Sequence, residues 1–396
     1  MVPTVLVKKR RARPFWFGHP WVFSGAIEKV DGGAPGDGDV VRLADTDGKP
    51  IGYGFWNGRS QIRVRMMTRE AEGPPDAALV RKRVQAALAL RREVLRLPET
   101  TTAFRLIHAE GDGLPGLVAD FLGGYVVVQV SSVGIAAHVE TVLDVLTSAL
   151  DPAGILERPT RVASEEGLER PFQVHRGSAP EGPVTIVENG VRYLCDLVHG
   201  QKTGFFTDQR ENRRAAAPLA RDRTVLDVFS STGGFGLRMA REGARSVLLV
   251  DSSEHALDLA GKAAALNEVG DRVTLERNKA QNVLQRLIEE KHHFGVVVLD
   301  PPALVPKKKD TEKGLQRYAA LNSAGLDLLE PGGLLVTCSC SQHVGESDFE
   351  DMLLEAAHRS EVQCQEIYRG GQGPDHPVLH PHFESRYLKC RVLRVV

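Results

Sequence analysis

Two thiols in the run Thr337-Cys-Ser-Cys-Ser341 stand where a predicted β-strand ends. Cys338 and Cys340 are two residues apart, so in a strand they point to the same side. Cys340 falls where the strand opens, and a thiolate there could attack a substrate as a nucleophile. Cys338 is predicted to be buried and inert. A zinc pair is the alternative, but it lacks a second Cys or His pair at ligand spacing, and its other ligands would have to be His376, His380 and His382.

Carboxylates end three other predicted strands. Asp227 opens a run that closes with Thr-Gly-Gly-Phe-Gly236, and glycines at a strand-to-helix turn let the backbone approach a ligand closely. The spacing is not G-x-G-x-x-G, which disfavours a dinucleotide site. Asp251 could accept both hydroxyls of a ribose, and Ser252 and Ser253 beside it could cap a helix; the two roles are compatible. Asp300-Pro-Pro302 leaves its strand as an extended chain, because each proline restricts the residue before it.

Strands and helices alternate from about residue 186, which predicts a mostly parallel sheet with helices on both faces. Ligands bind such sheets beyond the carboxyl ends of the strands, where the thiol and the carboxylates lie. The predicted strands are Thr224–Phe229, Ser246–Val250, Arg272–Leu275, Gly295–Leu299 and Gly333–Cys338. The predicted helices are Gly236–Arg241, Glu254–Asn267, Val283–Lys291, Leu315–Leu329 and Glu346–Arg359.

The segment before residue 186 has a different pattern. Short strands separated by glycine turns predict a small β-barrel over the first 70 or so residues, with strands at Val40–Leu43, Ile51–Phe55 and Ile62–Met66. A helix follows at 76–98, then a hairpin within Phe104–Asp120, a strand at Tyr125–Val130 and a helix at His138–Leu150. The polar stretch Glu157–Pro183 is predicted to be a loop.

Composition excludes several classes of protein. The 396 residues are 42% hydrophobic and 26% charged, as in a globular protein, and no apolar run is long enough for a membrane helix. Five cysteines, all from residue 195 onward, do not form a chain-wide disulfide framework, and no apolar signal core follows the basic start. These features predict a cytoplasmic protein. The net charge of −1 hides a net charge of +5 on the first 70 residues, which hold twelve Lys and Arg.

The chain resembles class I S-adenosyl-L-methionine-dependent methyltransferases, and more closely the ribosomal RNA large subunit methyltransferase I family, which makes 5-methylcytosine in large-subunit rRNA. The similarity covers essentially the whole chain. The motifs that carry it are Gly18-His-Pro-Trp-Val-Phe-Ser-Gly25, Gly111-Asp-Gly-Leu-Pro-Gly-Leu117, His199-Gly-Gln-Lys-Thr-Gly-Phe-Phe-Thr-Asp-Gln-Arg210, Phe229-Ser-Ser-Thr-Gly-Gly-Phe235, Asp300-Pro-Pro302 and Ser339-Cys-Ser341.

The resemblance implies an α/β fold in three parts. An N-terminal PUA domain, an RNA-binding β-barrel, would span residues 1–72, and a small α+β linking domain would span 73–185. A Rossmann-like methyltransferase domain with a seven-stranded sheet would span 186–396. The resemblance also implies large-subunit rRNA as partner, no membrane, and the possibility of a homodimer.

Residue roles carry over with the resemblance. Cys340 would be the nucleophile and Asp300 its partner, and no metal is implied. Asp251 would hold the ribose of the cofactor. The other cofactor residues would be Phe206, Asp208, Gln209 and Arg213 from the preceding segment, Asp227, Phe229, Ser230, Thr232, Gly233 and Gly234 around the glycine turn, and Ser252, Asn278 and Asp300 at later strand ends.

Two positions depart from the family pattern. Similar proteins usually carry an acidic residue after the third strand, near the adenine amino group, where this chain has Asn278 and Lys279. The amide oxygen of Asn278 can still accept a hydrogen bond, but it lacks the charge. Many RNA cytosine-5 enzymes also carry a second cysteine directly after the two prolines, where this chain has Ala303.

Basic and aromatic side chains are candidates for holding RNA. Each basic run could equally be a solvated face, and the tryptophans are predicted to be mainly core. The basic candidates are Lys8–Arg13, Arg59, Arg63, Arg65 and Lys307–Lys309, and the aromatic ones are Trp16, Trp21 and Trp56.

Two further hypotheses stay open at this point. A guanine N-methyltransferase on the same scaffold would need no cysteine adduct, so Cys340 would be structural. An RNA-binding ribosome-assembly protein with a decayed cofactor site would explain Asn278 and Lys279, although the intact Asp251, Asp300 and Cys340 argue against it.

Overall fold

The computed structural model describes residues 2–396, which fall into two compact units. Unit 1 holds the chain up to Gly182 together with Leu197–Gly204 and Pro374–Ser385. Unit 2 holds Pro183–Asp196, Phe205–Gly373 and Arg386–Val396. The three domain boundaries expected from the sequence stay a prediction. Within residues 2–396, no helix has both the length and the apolar character needed to cross a bilayer.

Unit 1 begins with a six-stranded sheet that pairs in the order β2-β6-β5-β4-β1-β3. Only β1 and β4 are parallel neighbours. Small branched side chains such as Val5, Val41 and Val64 alternate along the strands and form a buried core. The strands are β1 Thr4–Val7, β2 Trp21–Phe23, β3 Ile27–Asp31, β4 Val40–Asp45, β5 Pro50–Trp56 and β6 Ile62–Arg69, and the short helix α1 is Arg13–Trp16.

A five-stranded sheet in the order β11-β10-β9-β8-β7 completes unit 1. The predicted hairpin is confirmed, since β7 and β8 pair antiparallel, but the predicted loop 157–183 is wrong because it contains α5 and the edge strand β11. The strands are β7 Ala103–His108, β8 Leu117–Leu122, β9 Tyr125–Val130, β10 Gly154–Glu157 and β11 Gln173–Gly177. The helices are α2 Ala77–Ala89, α3 Val133–Ala136, α4 Val139–Leu150 and α5 Arg161–Glu165.

Unit 2 is built on a seven-stranded sheet in the order β16-β15-β14-β17-β18-β20-β19. The first five strands in that order run parallel, and β20 runs antiparallel to both of its neighbours. Its central strands are nearly continuous apolar runs, as expected where helices cover both faces of a sheet. The sheet strands are β14 Thr224–Val228, β15 Ser246–Asp251, β16 Val273–Arg277, β17 Phe294–Leu299, β18 Leu329–Ser339, β19 Cys364–Gly370 and β20 Lys389–Val395.

Besides this sheet, unit 2 contains a hairpin and six α-helices. The hairpin pairs β12 Val184–Glu188 with β13 Val191–Cys195. The helices are α6 Arg210–Ala216, α7 Gly234–Arg241, α8 Glu254–Leu266, α9 Ala280–Glu289, α10 Thr311–Asp327 and α11 Glu346–Arg359. The predicted parallel alternation of strands and helices is confirmed, with boundaries shifted by a few residues except at α11.

Candidate active site

The glycine turn between β14 and α7 has a backbone that few residue types tolerate. Phe229, Ser231 and Gly233 have φ values of +63°, +49° and +82°. The amide of Ser230 donates to the carbonyl of Val250 on β15 (3.1 Å), which ties the turn to the neighbouring strand. Left-handed backbone at non-glycine residues costs free energy and is common at functional sites. The turn therefore holds the start of α7 at the carboxyl end of the sheet.

Asp227, on β14, stabilises this turn through a hydrogen bond to α7. Its Oδ2 accepts a hydrogen bond from the Gly236 amide (2.8 Å), and a Cβ at Gly236 would lie 2.2 Å from a Leu249 methyl group. The pKa of Asp227 is raised to about 8, mainly by burial; the Gly236 hydrogen bond opposes this rise, and the charges of Asp300 and Asp251 contribute to it. Asp227 is 1% exposed, so its geometry favours a role in shaping the turn.

Asp251 links the loops that follow β14 and β15. Its Oδ2 accepts the Ser231 amide (2.9 Å) and its Oδ1 accepts the Ser253 amide (2.8 Å). Ser253 caps α8 by accepting the Ala256 amide, so capping falls to Ser253, and Ser252 is exposed. Asp251 is only half-buried, and each carboxylate oxygen has a second lone pair for a ligand hydroxyl.

Asn278 lies beside Asp251 through the backbone. The Asn278 amide donates to the Asp251 carbonyl (3.0 Å), and the Asn278 side-chain oxygen accepts the Lys279 amide (2.9 Å). The side chain is half-buried, and its amide oxygen already stabilises the local turn. Asn278 lies at the strand end expected from the sequence. Its neutral side chain, however, would bind the amino group of a ligand more weakly than a carboxylate would.

The segment before the sheet forms a buried polar layer. Asp208 accepts a hydrogen bond from the Tyr387 hydroxyl (2.7 Å), and Gln209 accepts one from the Asn212 amide (2.6 Å). Phe206 is half-buried, and its carbonyl accepts a hydrogen bond from Arg213 (3.0 Å).

Arg213 reaches the glycine turn from this layer. Its guanidinium pairs with both Glu188 oxygens at 2.8 and 2.6 Å. A Cβ at Gly234 would lie 3.3 Å from Arg213 Nη1, so the arginine packs against the first residue of α7. Tyr193 donates to the Gly234 carbonyl (3.1 Å). Glu188 and Tyr193 were not identified from the sequence, because a hairpin outside the sheet gave no signal that it supports the turn.

Cys340 follows the end of β18, next to a cluster of three hydroxyl groups that we call the hydroxyl cage. Ser339 and Ser341 on either side of it are buried, and their hydroxyls lie 3.1 and 2.9 Å from the Tyr318 hydroxyl on α10. Because both serines face Tyr318, the alternation of the chain directs the half-buried Cys340 to the other side. Its Sγ lies 3.9 Å from the Pro301 carbonyl, so the structure brings the thiol to the loop that contains Asp300.

Lys389, at the start of β20, fixes the chain that follows Cys340. Its Nζ donates to the carbonyls of Ser341 (2.9 Å), Val344 (2.7 Å) and Tyr387 (2.9 Å). Burial lowers the pKa of Lys389 to about 8 against the opposing influence of nearby Glu346. Neither Lys389 nor Tyr318 was identified from the sequence. A lone lysine opening an apolar run and a tyrosine in a helix are common features without chemistry.

Cys338 and the basic candidates fall into different environments. Cys338 is fully buried opposite Cys390 in the β18–β20 ladder, as predicted for an inert thiol. Lys307–Lys309 are exposed in unit 2, and the five basic residues of Lys8–Arg13 are exposed in unit 1. Arg65 is a correction, because it is buried and pairs with Glu110 and Glu166 at 2.9 Å each, so it does not face a ligand.

Arg59, Arg63 and the tryptophans are also engaged with protein groups. Arg59 is exposed beside Asp37, and Arg63 donates to carbonyls of its own loop, including that of Ser60 (2.7 Å). The three tryptophans are half-buried; Trp16 and Trp56 pack against the core of the first sheet, and Trp21 donates to Glu110 (2.7 Å).

Comparisons with known proteins identify the family of the chain. A PUA-like domain model matches residues 5–69, and an S-adenosylmethionine-dependent methyltransferase model matches residues 104–391. Ribosomal RNA large subunit methyltransferase I of Shewanella frigidimarina is 36% identical over the full length of both chains. The chain belongs to this methyltransferase family. The relative of the same name in Aeromonas salmonicida is also 36% identical, over 98% of each chain.

Two solved structures share the fold over the full length of both chains at 19% identity. A candidate SAM-dependent methyltransferase from Streptococcus mutans superposes with a TM-score of 0.84. A second methyltransferase structure, complexed with SAH, superposes with a TM-score of 0.86. Together with the family match, they identify the fold as a PUA-like domain followed by a Rossmann-like methyltransferase with S-adenosylmethionine (SAM) as its cofactor.

The residues of the glycine turn fit SAM. The Ser230 hydroxyl is buried and has no hydrogen-bond partner among the described residues, which leaves a polar group for a ligand. Gly233, with a left-handed backbone, and Gly234 keep the start of α7 free of side chains. Bound SAM would supply a methyl group on a positively charged sulfur, and the carboxylate of Asp251, which accepts the Ser231 amide, would place negative charge beside the glycine turn.

Proposed function

We propose that unit 2 transfers the methyl group of SAM to carbon 5 of a cytosine in large-subunit rRNA, with Cys340 as nucleophile. The observation that carries the proposal is the position of the Cys340 thiol, half-buried after β18 and 3.9 Å from the carbonyl of Pro301 in the Asp300 loop. The names of the full-length relatives support rRNA as substrate.

The chemistry requires a thiolate because carbon 5 of cytosine is a poor nucleophile. The Cys340 thiolate forms a bond to carbon 6, and a protonated Asp300 donates to the ring nitrogen that gains charge. Carbon 5 then takes the methyl group, and the bond between that group and the sulfonium breaks. A base finally removes the proton from carbon 5, and the electrons of that bond restore the ring as the Cys340 sulfur leaves carbon 6.

The proton acceptor in the last step is the main departure from the common pattern. Ala303, exposed after the two prolines, offers no thiol. The proton must therefore pass to water or to another group at the carboxyl ends of the strands. This arrangement predicts slow release of the covalent adduct compared with an enzyme that carries two cysteines.

Exposed basic groups support RNA as the substrate. Lys307–Lys309 follow the Asp300 loop and can contact phosphates near the target base. In unit 1, the exposed residues of Lys8–Arg13 precede Phe17, whose side chain is 63% exposed and available for stacking. A base reaches a half-buried thiol only after leaving its stack, so we infer that the target nucleotide is flipped out.

The decisive experiment replaces Cys340 by Ala in the full chain and measures transfer of labelled methyl groups from SAM to rRNA that lacks the modification. We expect loss of 5-methylcytosine by nucleoside mass spectrometry while SAM binding by calorimetry is unchanged. Cys364→Ala is the matched control, because Cys364 is a half-buried thiol on β19, outside the site. Undiminished 5-methylcytosine in Cys340→Ala would overturn the nucleophile assignment.

A guanine N-methyltransferase is the second candidate, favoured by one observation. The Pro301 carbonyl beside Cys340 could accept a hydrogen bond from an exocyclic amine and align it for direct attack. That reaction needs no thiol adduct, so Cys340→Ala would remain active and the product would be an N-methylguanosine. Binding of rRNA without binding of SAM would instead indicate an assembly protein.

A further inference from the structure

A cluster of two imidazoles and a carboxylate lies in unit 1, away from the residues assigned to methyl transfer. His19 precedes β2, and His382 and Glu384 come from the segment Pro374–Ser385 of the same unit. One ligand atom from each of the three residues lies within 4.8 Å of the other two. His19 Nε2 is 3.4 Å and His382 Nε2 is 3.9 Å from Glu384 Oε2.

His382 carries the argument because its imidazole is buried without a partner. The residue is 2% exposed, and among the described residues neither ring nitrogen has a hydrogen-bond partner. Its ring packs against Trp21, with centroids 4.2 Å apart, and against His19, with centroids 5.4 Å apart. Leaving a buried polar group unsatisfied is costly, so an imidazole in this state indicates a missing partner such as a bound ion or water molecule.

His19 is held in a way that suits coordination. Its Nδ1 accepts a hydrogen bond from the Trp21 amide (3.2 Å) and also lies 3.3 Å from the Trp21 carbonyl, and its Nε2 lies 3.4 Å from Glu384 Oε2. These contacts hold the ring with Nε2 toward Glu384. With a metal ion on Nε2, the ring proton would sit on Nδ1, where the Trp21 carbonyl can accept it, the usual outer-shell arrangement for a metal-bound histidine. Glu384 is 44% exposed on its side chain, which provides a route for an ion from solvent.

We infer that His19, His382 and Glu384 bind a divalent transition-metal ion, with Zn²⁺ the best match. Two imidazoles and one carboxylate suit zinc, whereas Ca²⁺ and Mg²⁺ prefer all-oxygen sites. Tetrahedral zinc with bonds of about 2.0–2.1 Å places its ligands about 3.3 Å apart. The His19–Glu384 distance already meets this value, and the His382–Glu384 distance needs a shift of about half an ångström.

Space for a further ligand lies beside His19. A cavity of about 240 Å³ is lined by His19 and by Pro381, the residue before His382. Water there would complete a three-ligand site. The ion would join residues that are 365 positions apart in the sequence, so its expected role is to fasten the Pro374–Ser385 segment to the first sheet within unit 1.

The test uses the full chain after treatment with a chelator. Zn²⁺ alone is titrated against a chromophoric competitor, and Co²⁺ is titrated to identify the ligands by absorption, since thiolate ligation gives a strong near-ultraviolet charge-transfer band that imidazole and carboxylate do not. We expect one tight site without the thiolate band and a higher Tm with either ion. Cys340→Ala should bind equally well, which separates this site from the proposed nucleophile.

Glu384→Gln is the main variant, because an exposed side chain can change without disturbing the fold, and His382→Gln is the second. Each should weaken the site by about 100-fold or more, beyond the effect of an outer-shell change, and abolish the Tm increase. His380→Ala is the matched control, an exposed histidine two residues from His382. Equal affinity and equal Tm increase in Glu384→Gln, His382→Gln and His380→Ala, or a thiolate band in all of them, would overturn the assignment.

Discussion

At the scale of single residues, Lys389 joins three carbonyls next to the thiol. Its ammonium lies below the loop Ser341–Val344, so it positions the chain on which Cys340 sits without contacting a substrate itself. Lys389→Met removes three hydrogen bonds at once. We expect kcat to fall by about 10²-fold with KM for rRNA little changed, because a shift of about 1 Å in the nucleophile costs that much.

The rate of Cys340 alkylation by iodoacetamide, measured against pH, separates positioning from a general loss of folding. The profile should change in Lys389→Met and partly recover in Lys389→Arg. Lys262→Met, on the exposed face of α8, is the control and should leave it unchanged. A normal alkylation profile together with reduced kcat would contradict the positioning role.

Asp227 predicts a pH dependence of stability. Its folded pKa of about 8 lies above the unfolded value of about 3.9. Its contribution to stability is therefore fully present below pH 4 and is lost as the pH rises to about 8, when the buried carboxyl must ionise. In Asp227→Asn this loss is absent, so the variant should gain stability relative to the parent chain between pH 5 and 9.

The measurement is the difference in unfolding free energy between the two chains at several pH values, on the order of a few kcal/mol across the range. Asp258→Asn, an exposed carboxylate on α8, should give a flat difference. A flat difference for Asp227→Asn as well would show that the carboxylate is ionised in the folded protein.

At the scale of elements, the sequence predicted the helices and strands whose hydrophobic periodicity is regular. Helix α11 was predicted with its observed limits, Glu346–Arg359, and it has acidic residues in its first turn and basic residues in its last, as the helix dipole favours. Strand β20 was not predicted individually, since Lys389 and Arg391 open it and charged residues argue against a buried strand. Their partners, the carbonyls after Cys340 and the carboxylates Glu346 and Glu350, are distant in sequence.

In the candidate site too, local patterns predicted some features, and contacts between distant segments determine the others. Alternation of strands and helices was enough to place Asp251 and the Asp300 loop at one edge of the sheet. The hydroxyl cage at Cys340 depends on Tyr318, and the support of the glycine turn depends on Glu188 and Tyr193. These contacts arise from packing between separate elements, which a pattern within one segment does not record.

Helix α10 and strand β18 are joined through Tyr318, and this link is testable. Tyr318→Phe keeps the ring but leaves the hydroxyls of Ser339 and Ser341 without that partner. We expect a loss of about 1–3 kcal/mol in unfolding free energy and a larger fractional loss of kcat than of SAM affinity. Denaturant unfolding and calorimetry measure the two effects.

Tyr125→Phe is the control for this substitution, as Tyr125 is a half-buried tyrosine in unit 1. Tyr125→Phe should lower the unfolding free energy by less than Tyr318→Phe does, and it should leave the ratio of kcat to SAM affinity unchanged. Equal effects of the two substitutions would show that the hydroxyl cage does not hold the Cys340 segment.

At the scale of the whole molecule, the charge distribution predicts how RNA binding responds to salt. The net charge of −1 conceals a basic N-terminal segment. Replacing the five basic residues of Lys8–Arg13 by Gln should weaken rRNA binding and make the slope of log K against log salt shallower, by roughly one for each lost phosphate contact. Filter binding over a salt series gives both values.

Arg65→Gln serves as the contrast, since Arg65 is buried with two carboxylates in the same unit. It should reduce stability by about 3–5 kcal/mol and leave the salt slope unchanged in the protein that remains folded. A slope that does not respond to the loss of Lys8–Arg13 would remove this segment from the RNA interface.

The placement of β20 and of Pro374–Ser385 determines when each unit can be completed during translation. Unit 1 includes Pro374–Ser385, and in unit 2 the strand β20 lies between β18 and β19, both of which precede it in the chain. During translation, each unit therefore waits for residues made late, with the edge of β18 unpaired and open to wrong partners. A nascent chain halted before residue 374 would lack both completions, so it should depend on chaperones throughout its synthesis.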